Sequence, residues 1–241
     1  MANYLREQSV GEVLRNAAEI YGRNFGVLFV TYFLPMLPFG IWQSEAQAAG
    51  RLGLFWTALL CSMVVTFIAW GAITIAVSDV CLGNKPTIAR SYQKVFGPML
   101  GGLVVASILQ GLSVLVGLCL CVVPGVLAGL WFMFAPSAAM LEGIGGVNAL
   151  KRSMSLTKGF MGRNFAVVIL LVIIGAAIGM IVGAVFALVF PPTTFGFRIV
   201  MVIMQDLLTP FSIIAVILLY YDLRVRKEAY DAAALAEDLR R

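Results

Sequence analysis

Six apolar runs, each long enough to cross a bilayer, constrain this sequence more than anything else in it. A hydrocarbon core of about 30 Å takes roughly 20 helical residues. Runs of that order occupy residues 25–42, 54–77, 98–118, 122–141, 165–189 and 199–221. Backbone amides cannot stay unpaired in lipid, so segments of this length must be helical. Composition agrees, with 61% of the 241 residues hydrophobic and 12% charged, against about 25% charged in a soluble domain. The reading is an all-α integral membrane protein with six transmembrane helices in one membrane domain, 1–241. Residues 1–24 carry Glu7, Glu12 and Glu19 and lack a signal peptide's apolar core, so the first run is expected to remain in the mature protein. Pro35 and Pro38 are expected to interrupt the first span, and Pro124-Gly125 to cap or kink the fourth.

The basic residues give the chain a direction. Of the 17 lysines and arginines, all but Arg51 and Arg198 fall in the N-terminal segment, the second and fourth loops or the C-terminal tail. The positive-inside bias then places both termini in the cytoplasm of a cell whose inner membrane holds the protein.

Gly22-Arg23-Asn24-Phe25 recurs as Gly162-Arg163-Asn164-Phe165, each time ending a basic amphipathic stretch and opening an apolar one, and Lys94-Val95-Phe96-Gly97-Pro98 is a weaker copy between them. The expected organisation is three parallel repeats of a surface helix followed by a helical hairpin, about 9–80, 86–142 and 146–222, with a cytoplasmic tail at 223–241. Repeats that all begin on one side are related by an axis along the membrane normal. The apolar stripes are Val10, Val13, Leu14, Ala17 and Tyr21 behind Ser9 as N-cap; Ile88, Tyr92, Val95 and Phe96; and Val147, Leu150 and Met154. Such helices either pack beneath the bundle or lie at the headgroup boundary. In the second case Arg23, Arg90, Lys94, Lys151, Arg152 and Arg163 would contact anionic headgroups. The tail reads as a short solvent-facing helix.

Ionisable groups inside a span are expensive and so mark candidate sites. Asp206, beside Gln205 in the sixth span, is the clearest, with Gln110 near the middle of the third. Asp206 reads either as a proton- or cation-coupling carboxylate or as a structural group hydrogen-bonded to Gln110 or a backbone carbonyl. Asp79, Glu142 and Asp222 stand near the ends of spans two, four and six, where they are expected to pair with cations of neighbouring units, Arg152 and Arg224 among them. Gly175, Gly179 and Gly183 form a small-residue ridge that suits close helix packing, within the chain or at a homodimer seam. The four cysteines lack metal or redox spacing and read as packing residues. There is no histidine, and no nucleophile and base at recognisable spacing, phosphate loop or dinucleotide fingerprint. The sequence therefore points away from an enzyme, a metal or organic cofactor, and a nucleic-acid partner.

Pro124-Gly125, Phe134-Ala135-Pro136, Glu142, Ala149-Leu150-Lys151-Arg152-Ser153, Leu156-Thr157-Lys158-Gly159 and residues 220–228 together resemble the bacterial YciC-like membrane proteins. They also resemble the related membrane domain of some glycerophosphodiester phosphodiesterases. The resemblance spans residues 124–228 and implies a six-helix membrane module. In the phosphodiesterase relatives the chemistry belongs to a separate soluble domain, so hydrolase activity is not expected of this chain. Taken together, the sequence suggests a non-enzymatic inner-membrane protein that binds or handles lipid or another amphiphile at the cytoplasmic leaflet. The alternatives are a small transporter or channel using Asp206, or an accessory subunit of a larger complex. The expected partners are membrane lipids, with a homo-oligomer or protein complex possible in either case.

Overall fold

A computed structural model describes residues 4–191 and 193–240. The elements are α1 (Val10–Arg23), α2 (Phe25–Ala48), α3 (Leu52–Cys81), α4 (Ile88–Val95), α5 (Leu100–Leu120), α6 (Val122–Phe132), α7 (Ala135–Glu142), α8 (Gly146–Thr157), α9 (Met161–Ala187), α10 (Phe195–Glu228) and α11 (Ala232–Asp238). Among the described residues six helices, counting α6 and α7 as one broken segment, are long and apolar enough to cross a membrane, and the chain is a multi-pass membrane protein. Among the described residues there is no strand.

The C-terminal half of α10 is the centre of the core. Every residue from Ile213 to Arg224 is buried, and Tyr220, Tyr221 and Phe134 are the largest side chains lost completely from the surface. α10 packs on α1, α2, α3, α8 and α9. α1 starts from a capping box in which the Ser9 hydroxyl accepts from the Glu12 amide at 3.2 Å and the Glu12 carboxylate accepts from the Ser9 amide at 2.8 Å. That amide holds the Glu12 carboxyl down at about 2.

The prolines behave differently from the sequence expectation. Pro35 and Pro38 lie inside an unbroken α2. A proline has no N–H for the carbonyl four residues back, and the Thr31 carbonyl that Pro35 leaves free accepts the Tyr92 hydroxyl of α4 at 2.6 Å. In α10 the hydroxyl of Tyr21, from α1, donates to the Leu207 carbonyl in the turn before Pro210, at 2.8 Å. Burial pushes both tyrosine hydroxyls up to about 12, which keeps them protonated as donors. The fourth span breaks not at Pro124-Gly125 but between Phe132 and Ala135, just ahead of Pro136. There Ser153 of α8 accepts from the Phe134 amide at 3.1 Å and donates to the Trp131 carbonyl at 2.7 Å. α4 thus supplies the donor that Pro35 withholds and α8 spans the break ahead of Pro136, while α1 adds a donor to the Leu207 carbonyl in the turn before Pro210. The buried face of α8 is accordingly Ala149, Leu150, Ser153, Leu156 and Thr157, whereas Val147 and Met154 of the expected stripe are exposed.

Two glycines set the spacing of α5 against the α7–α8 turn. A Cβ at Gly145 would stand 2.5 Å from the Gly102 Cα, backbone against backbone. Neither chain can yield by rotating a side chain. Gly145→Ala should therefore lower stability by about 1–3 kcal/mol, the usual range for overpacking, read as a lower melting temperature in detergent. Gly101→Ala, with open space around its Cβ, is the matched control.

Candidate functional site

A cavity of about 590 Å³ lies between the last half of α2, the first half of α3 and the first third of α10. These segments adjoin the α2–α3 turn and the α9–α10 connection, the end of the bundle away from α1, α4 and α8. Its wall is two-sided: Met36, Phe55, Leu59, Met63, Phe67 and Met201 are apolar, while Gln43, Gln47, Ser62, Thr66 and Gln205 are polar. Several polar groups are already held in place. Gln43 Nε2 donates to Ser62 Oγ at 2.7 Å, and Thr66 Oγ1 contacts Met36 Sδ at 3.5 Å.

Asp206 lines this cavity and is 6% exposed, and its Oδ2 has no hydrogen-bond partner. A buried carboxylate oxygen left unpaired carries a desolvation cost of at least about 1–3 kcal/mol, so this one is available to a donor that enters. No hydrogen bond joins it to Gln110, whose own Oε1 is buried and unpartnered on α5. Gln205, next in sequence, is exposed to the same cavity. Arg198 also lines it. The Arg198 Nη2 meets Glu45 Oε1 at 2.6 Å and Nη1 donates to the Thr193 carbonyl at 2.6 Å, while Nε is buried without a partner. The sequence marked Arg198 only as a charge on the sparsely charged side, and it gave no role to Gln43, Gln47 or Ser62. The signal was weak: α2 runs on past the apolar stretch into a polar end with glutamines four residues apart, which places Gln43 and Gln47 one above the other.

An apolar groove of about 390 Å³ between α3 and α5 shares Leu59, Met63 and Phe67 with the cavity, so a layer of side chains on α3 separates the two.

The opposite end of the bundle carries the charge clusters. Arg90 of α4 approaches Asp79 Oδ1 at 3.2 Å, without hydrogen-bond geometry at either carboxylate oxygen. Arg152 of α8 reaches Glu142 at 2.7 Å and also pairs with Glu228, and the Tyr220 hydroxyl donates to Glu142 at 2.6 Å. Asp222 accepts from the Gln8 amide at 2.6 Å and meets Arg163 at 2.8 Å and Arg226 at 3.0 Å. Arg224 binds Asp238 of α11 at 2.7 Å and stacks over the Tyr230 ring at 3.6 Å. The tail is therefore folded onto the bundle with Leu235 and Leu239 buried, and is not solvent-facing. Its alternating alanines and leucines supply the apolar face that makes this possible.

The six basic residues considered for headgroup contact divide accordingly. Arg152 and Arg163 are engaged by carboxylates, and Lys94 donates to the Leu239 carbonyl, with burial lowering its ammonium pKa. Arg90 is half-exposed beside Asp79, Arg23 is exposed and paired with Glu19 at 3.0 Å, and Lys151 is exposed. The ridge on α9 is largely unfilled: nothing lies within 4 Å of a Cβ at Gly175 or Gly179, and Gly183 meets only Met201 of α10.

A search of family models, of curated proteins and of solved structures finds no match to this chain.

Proposed function

We propose that this multi-pass membrane protein binds a small solute with a cationic or hydrogen-bond-donating group in the α2–α3–α10 cavity, as a small transporter or a related solute-binding module. The observation that carries the reading is the unpartnered, buried Asp206 oxygen in the cavity wall. An intramembrane acid in the wall of a cavity is the usual place for a substrate or coupling cation. Binding rather than bond-making is favoured because the described lining residues include no His, Cys, Lys or second carboxylate beside Asp206.

In this reading the chain is three parallel units with an N-in, C-in orientation in the inner membrane. Two cyclic patterns support it. The first is the hydroxyl from each surface helix to a disturbed turn of the preceding unit: Tyr21 to α10, Tyr92 to α2, Ser153 to α6. The second is the carboxylate near the end of each unit, which meets the segment that opens the next: Asp79 faces Arg90, Glu142 pairs with Arg152, and Asp222 accepts from Gln8 just ahead of α1. The cavity then opens to the outer side. Its likeness to YciC-like proteins belongs to the same proposal and assigns no ligand.

A second reading, an amphiphile carrier, is favoured by the apolar groove that shares a wall with the cavity. It places the amphiphile near the outer end of the bundle, because most cytoplasmic cations are engaged within the protein.

The test is binding of nonylammonium to the protein in zwitterionic-lipid nanodiscs, with empty nanodiscs subtracted. Asp206→Asn should weaken it at least about tenfold, roughly 1.4 kcal/mol, while the unliganded melting temperature stays near that of the parent. Equal binding by the two proteins sinks the reading.

A further inference from the structure

Resting on that reading, we infer that the cavity is built for a linear zwitterion, its ammonium on Asp206 and its anionic end at Arg198. Two buried polar atoms of opposite charge, Asp206 Oδ2 and Arg198 Nε, lack partners, and both residues line this one space. A ligand that satisfied only the acid would leave the guanidinium N–H orphaned, at the continuing cost of a buried unmade bond.

The two sites are separated by a fixed span of helix. Eight residues of α10 put their Cα atoms about 12 Å apart at 1.5 Å per residue. Helical side chains lean toward the helix N-terminus, and Arg198 does so, because its Nη1 reaches back to the Thr193 carbonyl. The separation of charges is therefore no less than about that figure. A compact zwitterion, such as an amino acid with both charges on one carbon, cannot touch both ends.

The anionic end has a second attraction. Arg198 lies one turn inside α10, whose helix starts at Phe195 behind a Thr194 N-cap, and the open N–H groups of a first turn favour negative charge. Glu45 fixes the guanidinium from the exposed rim without using Nε. Between the ends, the spine of the ligand crosses Met201, Val202 and Phe197 on one side and the Gln43–Ser62 pair on the other. That wall accepts either a methylene chain or a peptide backbone.

The probes are ω-aminononanoate and triglycine, each with its ends spaced to suit, set against nonylammonium and triglycinamide, which keep the cation and lack the carboxylate. On the parent protein in nanodiscs, at least one zwitterion should bind about tenfold or more tighter than its cationic counterpart. The methylene or the peptide arm identifies the spine. Arg198→Gln should bring that ratio to about one while nonylammonium binding persists. Arg198→Lys, which keeps a positive charge for Glu45 and removes Nε, should reduce the ratio as well and covers the case in which the glutamine variant does not fold. If neither zwitterion outcompetes its cationic counterpart on the parent protein, or if the preference survives in Arg198→Lys, the two-point assignment is overturned with the Asp206 reading intact. Absence of nonylammonium binding, or its full retention in Asp206→Asn, overturns both.

Discussion

Asp222→Ala should lower the stability of the protein by about 3–5 kcal/mol, the cost of removing one partner from a buried ion pair. Asp222 is fully buried, and three separate parts of the chain converge on its carboxylate: the Gln8 amide ahead of α1, Arg163 at the start of α9, and Arg226 one turn along α10. Removal leaves Arg163, itself only 16% exposed, opposite Arg226 with no charge between them. Gln8 would lose its amide acceptor while its side chain still ties Tyr4 to Asn16, at 2.7 and 2.8 Å. The measurement is the melting temperature in mild detergent, followed by the fluorescence of a label on the N-terminal segment. Asp222→Asn should fall between the parent and the alanine variant, because an amide oxygen still accepts from Gln8 but carries no charge for two guanidinium groups. If both variants melt with the parent, the cluster adds nothing measurable to stability and the N-terminal segment is held against α10 by apolar packing alone.

The spans and the surface helices were legible because each is encoded locally. Apolar length gives α2, α3, α5, α9 and α10, and Ser9 as N-cap gives the start of α1. Helix ends moved where polar residues continue a helix past the apolar stretch, as Gln43–Gln47 do in α2 and Arg224–Glu228 do in α10. Pro124-Gly125 stands in the first turn of α6, at the end of the helix rather than at a kink, because a missing N–H is harmless there, and the break further on was not read from the sequence. Pro136 stands where the helix would have needed that bond. Which side chain bonds the carbonyls near these prolines depends on a partner far along the chain, 61 residues away for Tyr92 and 186 for Tyr21.

The site shows the same division. That Asp206 is intramembrane is a property of one helix, and the sequence displays it. The cavity around it needs α2, α3 and α10 together, and no periodicity within any of them encodes which faces meet. Gln110 drew attention for the same local reason as Asp206 and yet sits elsewhere on α5. Arg198 was legible only as a charge in a poorly charged loop, since its role depends on Glu45 across 153 residues.

Arg224→Ala should release the tail. Arg224 is 8% exposed and is the common partner of α10, α11 and the segment between them: Glu228 at 3.2 Å, Asp238 at 2.7 Å and the Tyr230 ring at 3.6 Å. The chain reverses at Ala229, which takes the left-handed backbone conformation at φ 51°, so α11 is held against the bundle by these contacts and by Leu235 and Leu239 rather than by a continuous helix. Without the guanidinium, Asp238 is left with the Tyr230 hydroxyl as its hydrogen-bond donor, and a nearly buried carboxylate in that state favours solvent over the docked position. Amide hydrogen exchange over α11 reports this directly, because local opening exposes those amides without unfolding the spans. A loss of about 3 kcal/mol raises the exchange rate roughly a hundredfold, whereas protection in the C-terminal half of α10 should stay within a few-fold of the parent. Arg224→Lys should give an intermediate rate, since an ammonium can meet Asp238 but cannot lie flat over the Tyr230 ring. Unchanged exchange in the alanine variant would assign the docking to the two leucines, and Leu235→Ser would then have to produce the release that Arg224→Ala did not.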